Sequence, residues 1–311
     1  MATSVLLSGA SSQLGVFLLP RLQAAGLGVY ALSRRAPASP LEVAEGVVWT
    51  HPGVLQVPGG GSGGAAPGVK PESIFHLISC GPLDLALELI RGHASVQRAV
   101  VFSTSSVLSK SDSGHRRERE QMLEIAEGES RLGTLCEERG IALLLLRPTL
   151  IYGCGLDRNI SLLARFGKRF GFIPLAAEAG GLRQPAHADD LAALAVRALT
   201  TDRAIELVSA ACGGTTLSYR QMVERIAAAC GGTARVATFP RWLMSAAVRS
   251  LMLLPSWRSL NPEMVMRQNR DLVFDDSTLK EALGYQPRPF EPTAADFEIP
   301  EHARKLQLPI D

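Results

Sequence analysis

Lysine and tyrosine are scarce in this chain of 311 residues, which carries five lysines against 27 arginines and only four tyrosines. Cysteine is sparse as well. Cys80, Cys136, Cys154, Cys212 and Cys230 are odd in number, widely spread and form no Cys-x-x-Cys pair, which speaks against a zinc site and against a disulfide framework. A reducing, cytoplasmic setting is the expectation. With 32 basic and 30 acidic side chains there is no extended field of one sign, so nucleic acid is not the expected partner. No long apolar run is present either. The longest, Trp242 to Leu254, is broken by Arg249 and is too short to span a bilayer. It reads as a buried or interface helix, with Arg241, Arg249 and Arg258 around it leaving an interfacial, lipid-facing helix as the alternative. The first residues, Met1-Ala-Thr-Ser-Val-Leu-Leu-Ser8, lack the basic start and apolar stretch of a secretory signal and read as a strand.

What is present is a regular alternation. Strand-like apolar runs stand at Val5–Leu7, Val29–Leu32, Val47–Trp49, Ile74–Ile78, Ala99–Phe102 and Ile141–Leu146. Between most of them lie helix-length amphipathic stretches, at Leu14–Ala25, Leu83–Gly92 and Glu118–Arg139. Runs that are apolar throughout, rather than at alternate positions, belong to strands buried on both faces, so the fold class is α/β with a Rossmann-like, doubly wound parallel sheet. Pro58–Gly68 is rich in glycine and reads as a surface loop. After Arg147-Pro148 the alternation weakens. Helices are expected at Ile160–Phe170, Leu191–Leu199 and Tyr219–Cys230, and strands at Ile205–Val208 and Asp271–Phe274. The domain reading is therefore a dinucleotide-binding unit at 1–152, to which 186–209 returns, and a smaller interleaved cap from 153–185 and 210–311.

The first strand ends in Ser8-Gly9-Ala10-Ser11-Ser12-Gln13-Leu14-Gly15, followed by a helix. A dinucleotide site needs glycine where the chain turns and where helix meets sheet, with the pyrophosphate resting on the helix N-terminus. Gly9 and Gly15 fill those two places. Ser12 stands at the middle position, where a hydroxyl can donate to phosphate, and Ser11, Gln13 and Leu14 complete the loop. The second strand ends in Ser33-Arg34-Arg35 rather than in an acidic residue for ribose hydroxyls. Arginine there suits a 2′-phosphate, so NADP(H) is favoured over NAD(H). Thr50-His51-Pro52 offers no acidic group to the adenine amine.

The chain resembles the extended short-chain dehydrogenase/reductase superfamily, in particular its NAD(P)-dependent epimerase/dehydratase branch. The resemblance rests on residues 8–15, Phe75-His76-Leu77, Phe102-Ser103-Thr104-Ser105-Ser106-Val107, Leu146-Arg147-Pro148 through Tyr152-Gly153, Arg183-Gln-Pro-Ala-His187-Ala-Asp189-Asp190-Leu191, and Asp271–Asp275 followed by Leu283-Gly284-Tyr285-Gln-Pro287. It implies that Thr104 or Ser105 hydrogen-bonds the reacting substrate oxygen, that Ile78, Ser79 and Pro148 lie along the cofactor, and that Arg183 sits where the family often binds a diphosphate. Arg158 and Asn159, opening the first cap helix, are further substrate-binding candidates. The substrate it implies is a small molecule, a nucleotide-linked sugar or similar hydroxyl or carbonyl compound. A second copy of the chain is the one macromolecular partner left open.

One family feature is missing. Its proton-transfer tyrosine stands four residues before a lysine, so that both share one helix face. Here the residues four after Tyr30, Tyr152, Tyr219 and Tyr285 are Arg34, Leu156, Val223 and Pro289, and no Tyr-x-x-x-Lys exists. Aligned on Glu129, the two positions hold Gln121 and Ile125. Tyr152, Lys110 and, less well placed, His115 are the replacement candidates. His187 reads as a structural hydrogen-bonding residue and His76 as part of the core. The expected function is an atypical oxidoreductase, epimerase or dehydratase. The rivals are a non-catalytic NADP(H)-binding sensor or assembly subunit that lost the dyad, and a reductase of lipid or polyketide carbonyls.

Overall fold

Apolar runs flanked by amphipathic stretches fold as strands covered on both faces. The computed structural model describes residues 4–33, 47–50, 74–109, 116–232, 234–251, 263–301 and 303. Its first half contains β1 (Ser4–Ser8), α1 (Gly15–Ala24), β2 (Gly28–Leu32), β3 (Val47–Thr50), β4 (Ile74–Ser79), α2 (Leu83–Gly92), β5 (Arg98–Phe102), α3 (Ser106–Ser109), α4 (Arg116–Glu138) and β6 (Ala142–Pro148). The second half adds β7 (Ile151–Tyr152), α5 (Ile160–Phe170), β8 (Phe172–Ala176), β9 (Leu182–Arg183), β10 (Ala186–His187), α6 (Ala188–Thr200), β11 (Leu207–Ala211), β12 (Leu217–Ser218), α7 (Tyr219–Ala229), β13 (Arg235–Phe239), α8 (Arg241–Leu251), α9 (Glu263–Arg267) and α10 (Ser277–Leu283).

Seven strands form one parallel sheet in the order β11-β6-β5-β4-β1-β2-β3. The order reverses between β1 and β4, and in such sheets ligands bind beyond the carboxyl ends at that reversal. The two-residue period of a strand sends Val5 and Leu7 to one face, with Leu18 of α1 and Leu191 of α6, and Leu6 to the other, with Leu87 of α2 and Leu132 of α4. The cap has its own core around Tyr152, Ile160, Ile173, Val223 and Phe290. There β8 pairs with β13, and Gly167 lets α5 approach them, because a Cβ at that position would stand 2.9 Å from Ile173. A capping box between Ser218 and Gln221 starts α7.

Three sequence expectations need correction. The strand expected at Ile205–Val208 lies at Leu207–Ala211, where the small Ser209, Ala210 and Ala211 are drawn into register with Leu146, Arg147 and Pro148 of β6. Pairing with a neighbour outweighs weak local strand preference. Asp271–Phe274 is not a strand: it runs beside β9 with one backbone bond, from the Leu272 amide to the Leu182 carbonyl, and a second amide, that of Phe274, donates to the side chain of Gln184. Of the buried or interface helix expected from Trp242, the buried form is excluded, since the helix lies at the surface with Trp242 72% exposed. Leu279, Leu283 and Tyr285, assigned to the cap, pack into the sheet-side core with α6 and β11, and the Tyr285 hydroxyl donates to the Cys212 carbonyl at 3.0 Å.

Candidate functional site

The loop from β1 to α1 is built around two glycines. Gly9 adopts φ +72°, a conformation that side chains rarely allow, and a Cβ on it would stand 3.0 Å from the Cys80 backbone. At Gly15 a Cβ would fall 2.3 Å from the Ala10 carbonyl oxygen. Ser12 folds inward: its hydroxyl accepts from the Gly15 amide at 3.2 Å, as a capping residue does. The Gln13 and Leu14 amides make no hydrogen bond to another described residue. The loop is tied to the end of β2 by a 2.8 Å bond between the Ser11 and Ser33 hydroxyls. Arg34 and Arg35, which follow, lie outside the described residues. These features fit a dinucleotide pyrophosphate, since the backbone is cleared of side chains and amides remain at a helix start.

A cavity of about 530 Å³ adjoins this loop at the carboxyl ends of β5 and β6. Gln13 reaches it from the loop, Thr104 and Ser105 from the end of β5, Pro148 from β6, and Arg158, Asn159 and Arg183 from the cap. The fold thus brings together seven of the residues singled out in the sequence. The Gln13 Oε1 is buried with no hydrogen-bond partner among the described residues. Thr104 and Ser105 differ in their commitments. The Thr104 hydroxyl oxygen accepts from the Ser106 amide at 3.1 Å, whereas the Ser105 hydroxyl bonds to no described residue while its amide is anchored on the Pro148 carbonyl.

Other expected residues are elsewhere. Ile78 and Ser79 are fully buried, and the Ser79 hydroxyl bonds that of Ser8 at 2.8 Å, so neither side chain faces the cavity. Tyr152 does not line it. Its ring packs edge-on against His187 and Phe290, both 4.9 Å away between centroids, and burial together with the nearby Asp296 carboxylate pushes its phenol far above the usual range. That placement makes it a core residue and a poor proton donor. Lys110 and His115 lie outside the described residues. His187 caps α6: its Nδ1 accepts from the Asp189 amide at 3.0 Å, which makes Nε2 the protonated nitrogen, donating to Asp296 at 3.1 Å. His76 is only partly buried, and burial and Arg98 lower its pKa.

On α4, Gln121 is exposed and Ile125 half-buried, and neither lines the cavity. Four residues on, Glu129 is buried and ion-paired to Arg147, while the Ser103 hydroxyl donates to it at 2.5 Å. The cap contributes two residues that sequence reading did not select. Tyr219 and Arg267 both line the cavity. Arg183 lies 3% exposed, 5.2 Å above the Tyr219 ring, and donates to the carbonyls of Leu182, Arg270 and Arg267. No carboxylate pairs with it at salt-bridge distance among the described residues, and burial lowers its pKa. Arg267 is paired with Glu118 of α4. No sequence signal marks Arg267, because its place follows from the contact of the 267–270 turn with β9. Tyr219 directly follows the Ser218 cap, and that cap is the one local sign of its position.

Sheet order and the glycine-built first loop give the Rossmann-like, doubly wound fold expected from the sequence. Among solved structures it is similar to a UDP-N-acetylglucosamine 4-epimerase from Bacillus cereus, with a TM-score of 0.65 and 13% identity over 95% of this chain and 94% of that one. It is likewise similar to the UDP-glucose 4-epimerase of Thermus thermophilus in complex with NAD, with a TM-score of 0.62 and 17% identity over 98% and 99% of the two chains. The UDP-glucose 4-epimerase of Thermotoga maritima with UDP-glucose gives 0.64 and 12% over 99% and 100%. No protein-family model and no curated protein sequence matches the chain.

Proposed function

We propose that this protein binds a nicotinamide dinucleotide, NADP(H) in preference to NAD(H), and acts with it on a nucleotide-linked sugar or a similar hydroxyl or carbonyl substrate. The reading rests on one cavity that meets the glycine-cleared loop on one side and an arginine-bearing cap on the other. In this reading Gly9 and Gly15 leave room for the pyrophosphate, and the free amides of Gln13 and Leu14 donate to it. A bound nicotinamide would supply hydride acceptance and return at a carbinol carbon. Ser105, with its hydroxyl uncommitted, donates to the reacting oxygen. Arg158 at the exposed mouth, and the buried charge of Arg183, favour an anionic group such as a diphosphate. The UDP-sugar epimerases of similar fold, one of them bound to NAD, support a nicotinamide cofactor and a nucleotide-sugar substrate, while the preference for NADP(H) rests on Arg34 and Arg35 in the sequence after β2. Proton transfer falls to Lys110 or to solvent. Free thiols at all five cysteines fit a reducing, cytoplasmic protein.

The test is calorimetric titration with NADP⁺ and NAD⁺, followed by a panel of nucleotide sugars with the nicotinamide absorbance as readout. A change with any of them, reduced roughly tenfold or more in rate by Ser105→Ala at unchanged cofactor affinity, supports catalysis. The position of Gln121 and Ile125, off the cavity and without a titratable group, favours a second reading, a binding protein without turnover. That reading expects both ligands to bind and the absorbance to stay constant.

A further inference from the structure

Ordinary surface helices show charge to water and turn apolar side chains inward. Helix α8 departs from this in its first turn, where Trp242 and Leu243 face outward. Its exposed positions, Trp242, Leu243, Ala246, Arg249 and Ser250, follow one helical face. Trp242 is 72% and Leu243 40% exposed, and Met266, which the Arg241 guanidinium touches, is 50% exposed. The partly covered positions hold Arg241, Met244 and Ser245, and Arg241 is tied to Glu178 by a 2.7 Å ion pair. Adjacent exposed Trp and Leu at the start of a helix are costly in water unless something covers them.

Charge decides among the occupants. From Arg225 to Pro262 the chain contains neither Asp nor Glu, whereas Arg225, Arg235, Arg241 and Arg249 lie within the described part of that stretch. Glu178, already paired, is the acidic side chain bonded to α8 among the described residues. A second copy of the chain would bring the same arginine-rich face, whose Glu178 is already paired with Arg241, against itself across a twofold axis, placing like charges together. An anionic lipid surface meets both requirements, since it takes up Trp and Leu at the headgroup level and attracts Arg249. No helix among the described residues is long and apolar enough to cross a membrane, so the contact lies in the interface. We infer that α8 is a docking face by which the protein attaches reversibly to anionic membranes, through Trp242 and Leu243 with Arg249 beside them. The inference does not depend on the cofactor or substrate reading.

The experiment is co-sedimentation of the full chain with vesicles of phosphatidylcholine alone and of phosphatidylcholine with phosphatidylglycerol. Binding to the mixed vesicles, weakened by salt and weak or absent on the neutral ones, is expected. Trp242→Ser with Leu243→Ser is expected to weaken it about tenfold or more, and Arg249→Gln about fivefold. All three side chains are exposed, so circular dichroism and dinucleotide binding should match the parent. Failure to sediment with mixed vesicles, equal binding to neutral ones, or unchanged binding by the double variant would each overturn the proposal. So would a dimer at vesicle-free working concentration that the double variant abolishes, since the face would then belong to a second copy.

Discussion

The loop from Ser8 to Gly15 and helix α4 serve the same end of the sheet, yet they depart to different degrees from the pattern of the superfamily that the sequence resembles. In the loop, what is kept is backbone geometry: a turn at positive φ, and a position where a Cβ would collide with the Ala10 carbonyl. In α4, the positions that an alignment on Glu129 gives to the tyrosine and lysine of the superfamily resembled by the sequence hold Gln121 and Ile125. The difference is one of steric and electrostatic necessity. Gly9 and Gly15 are required by the fold itself, with or without a ligand. Glu129 is required because it compensates the Arg147 charge at the sheet end. A proton-transfer pair supports neither packing nor charge balance, and α4 folds without it.

Gly15→Val should have the largest effect, because the new side chain meets backbone and not a movable side chain. A penalty of about 1–3 kcal/mol, if it falls on the bound state, corresponds to roughly five- to 150-fold weaker dinucleotide binding, read by calorimetry, together with a lower melting temperature. On α4, Glu129→Gln should cost about 2 kcal/mol in a denaturant titration, less than a fully buried pair would, since Arg147 keeps partial access to water. A loss as small as that of a surface substitution would place the anchor of α4 elsewhere.

Acid sensitivity gives an intermediate effect, away from both segments. Although burial works against it, hydrogen bonds from His187 and Thr293 hold the Asp296 carboxyl below its usual range. Its folded-state pKa is therefore below the unfolded one. The stability it contributes is present above the ordinary carboxylate value of about 4 and is lost as pH falls through the folded value. Asp296→Asn should remove about 1 kcal/mol at neutral pH and flatten the acid limb of the stability curve. The smallest effect belongs to Gln121 and Ile125. Gln121→Ala and Ile125→Ala should leave dinucleotide affinity within about twofold, because neither side chain lines the cavity. A larger loss would return those positions to the site and dissolve the contrast.

The legible parts of the molecule are those whose requirements are local. Strands buried on both faces announce themselves as unbroken apolar runs, and the glycines of the first turn follow from its geometry. The serines after β5 were readable because β5 is. Tyr152 was misplaced because its distance along the chain from β6 says nothing of which core it joins; Phe290 and His187, remote in sequence, decide that. Arg267 was invisible for the same reason. For α8 the composition was readable but the facing was not, since period alone cannot say whether the apolar stripe turns inward. Strand β11 starts two residues and ends three residues later than expected because Ser209, Ala210 and Ala211 have little strand preference of their own and take it from β6.

The position of β11 bears on the order in which the chain can fold during synthesis. Its partner β6 ends at Pro148, but the strand itself is made only at Leu207–Ala211, after α5, β8 and α6 have emerged. The roughly sixty residues between them must be closed as a loop, an entropic cost of about 3–4 kcal/mol. Until then β6 is an uncovered sheet edge, and α10 and Tyr285, which complete that side of the core, arrive later still. A nascent chain halted within the cap would hold six strands in readiness and expose the edge most suited to pairing with a stranger.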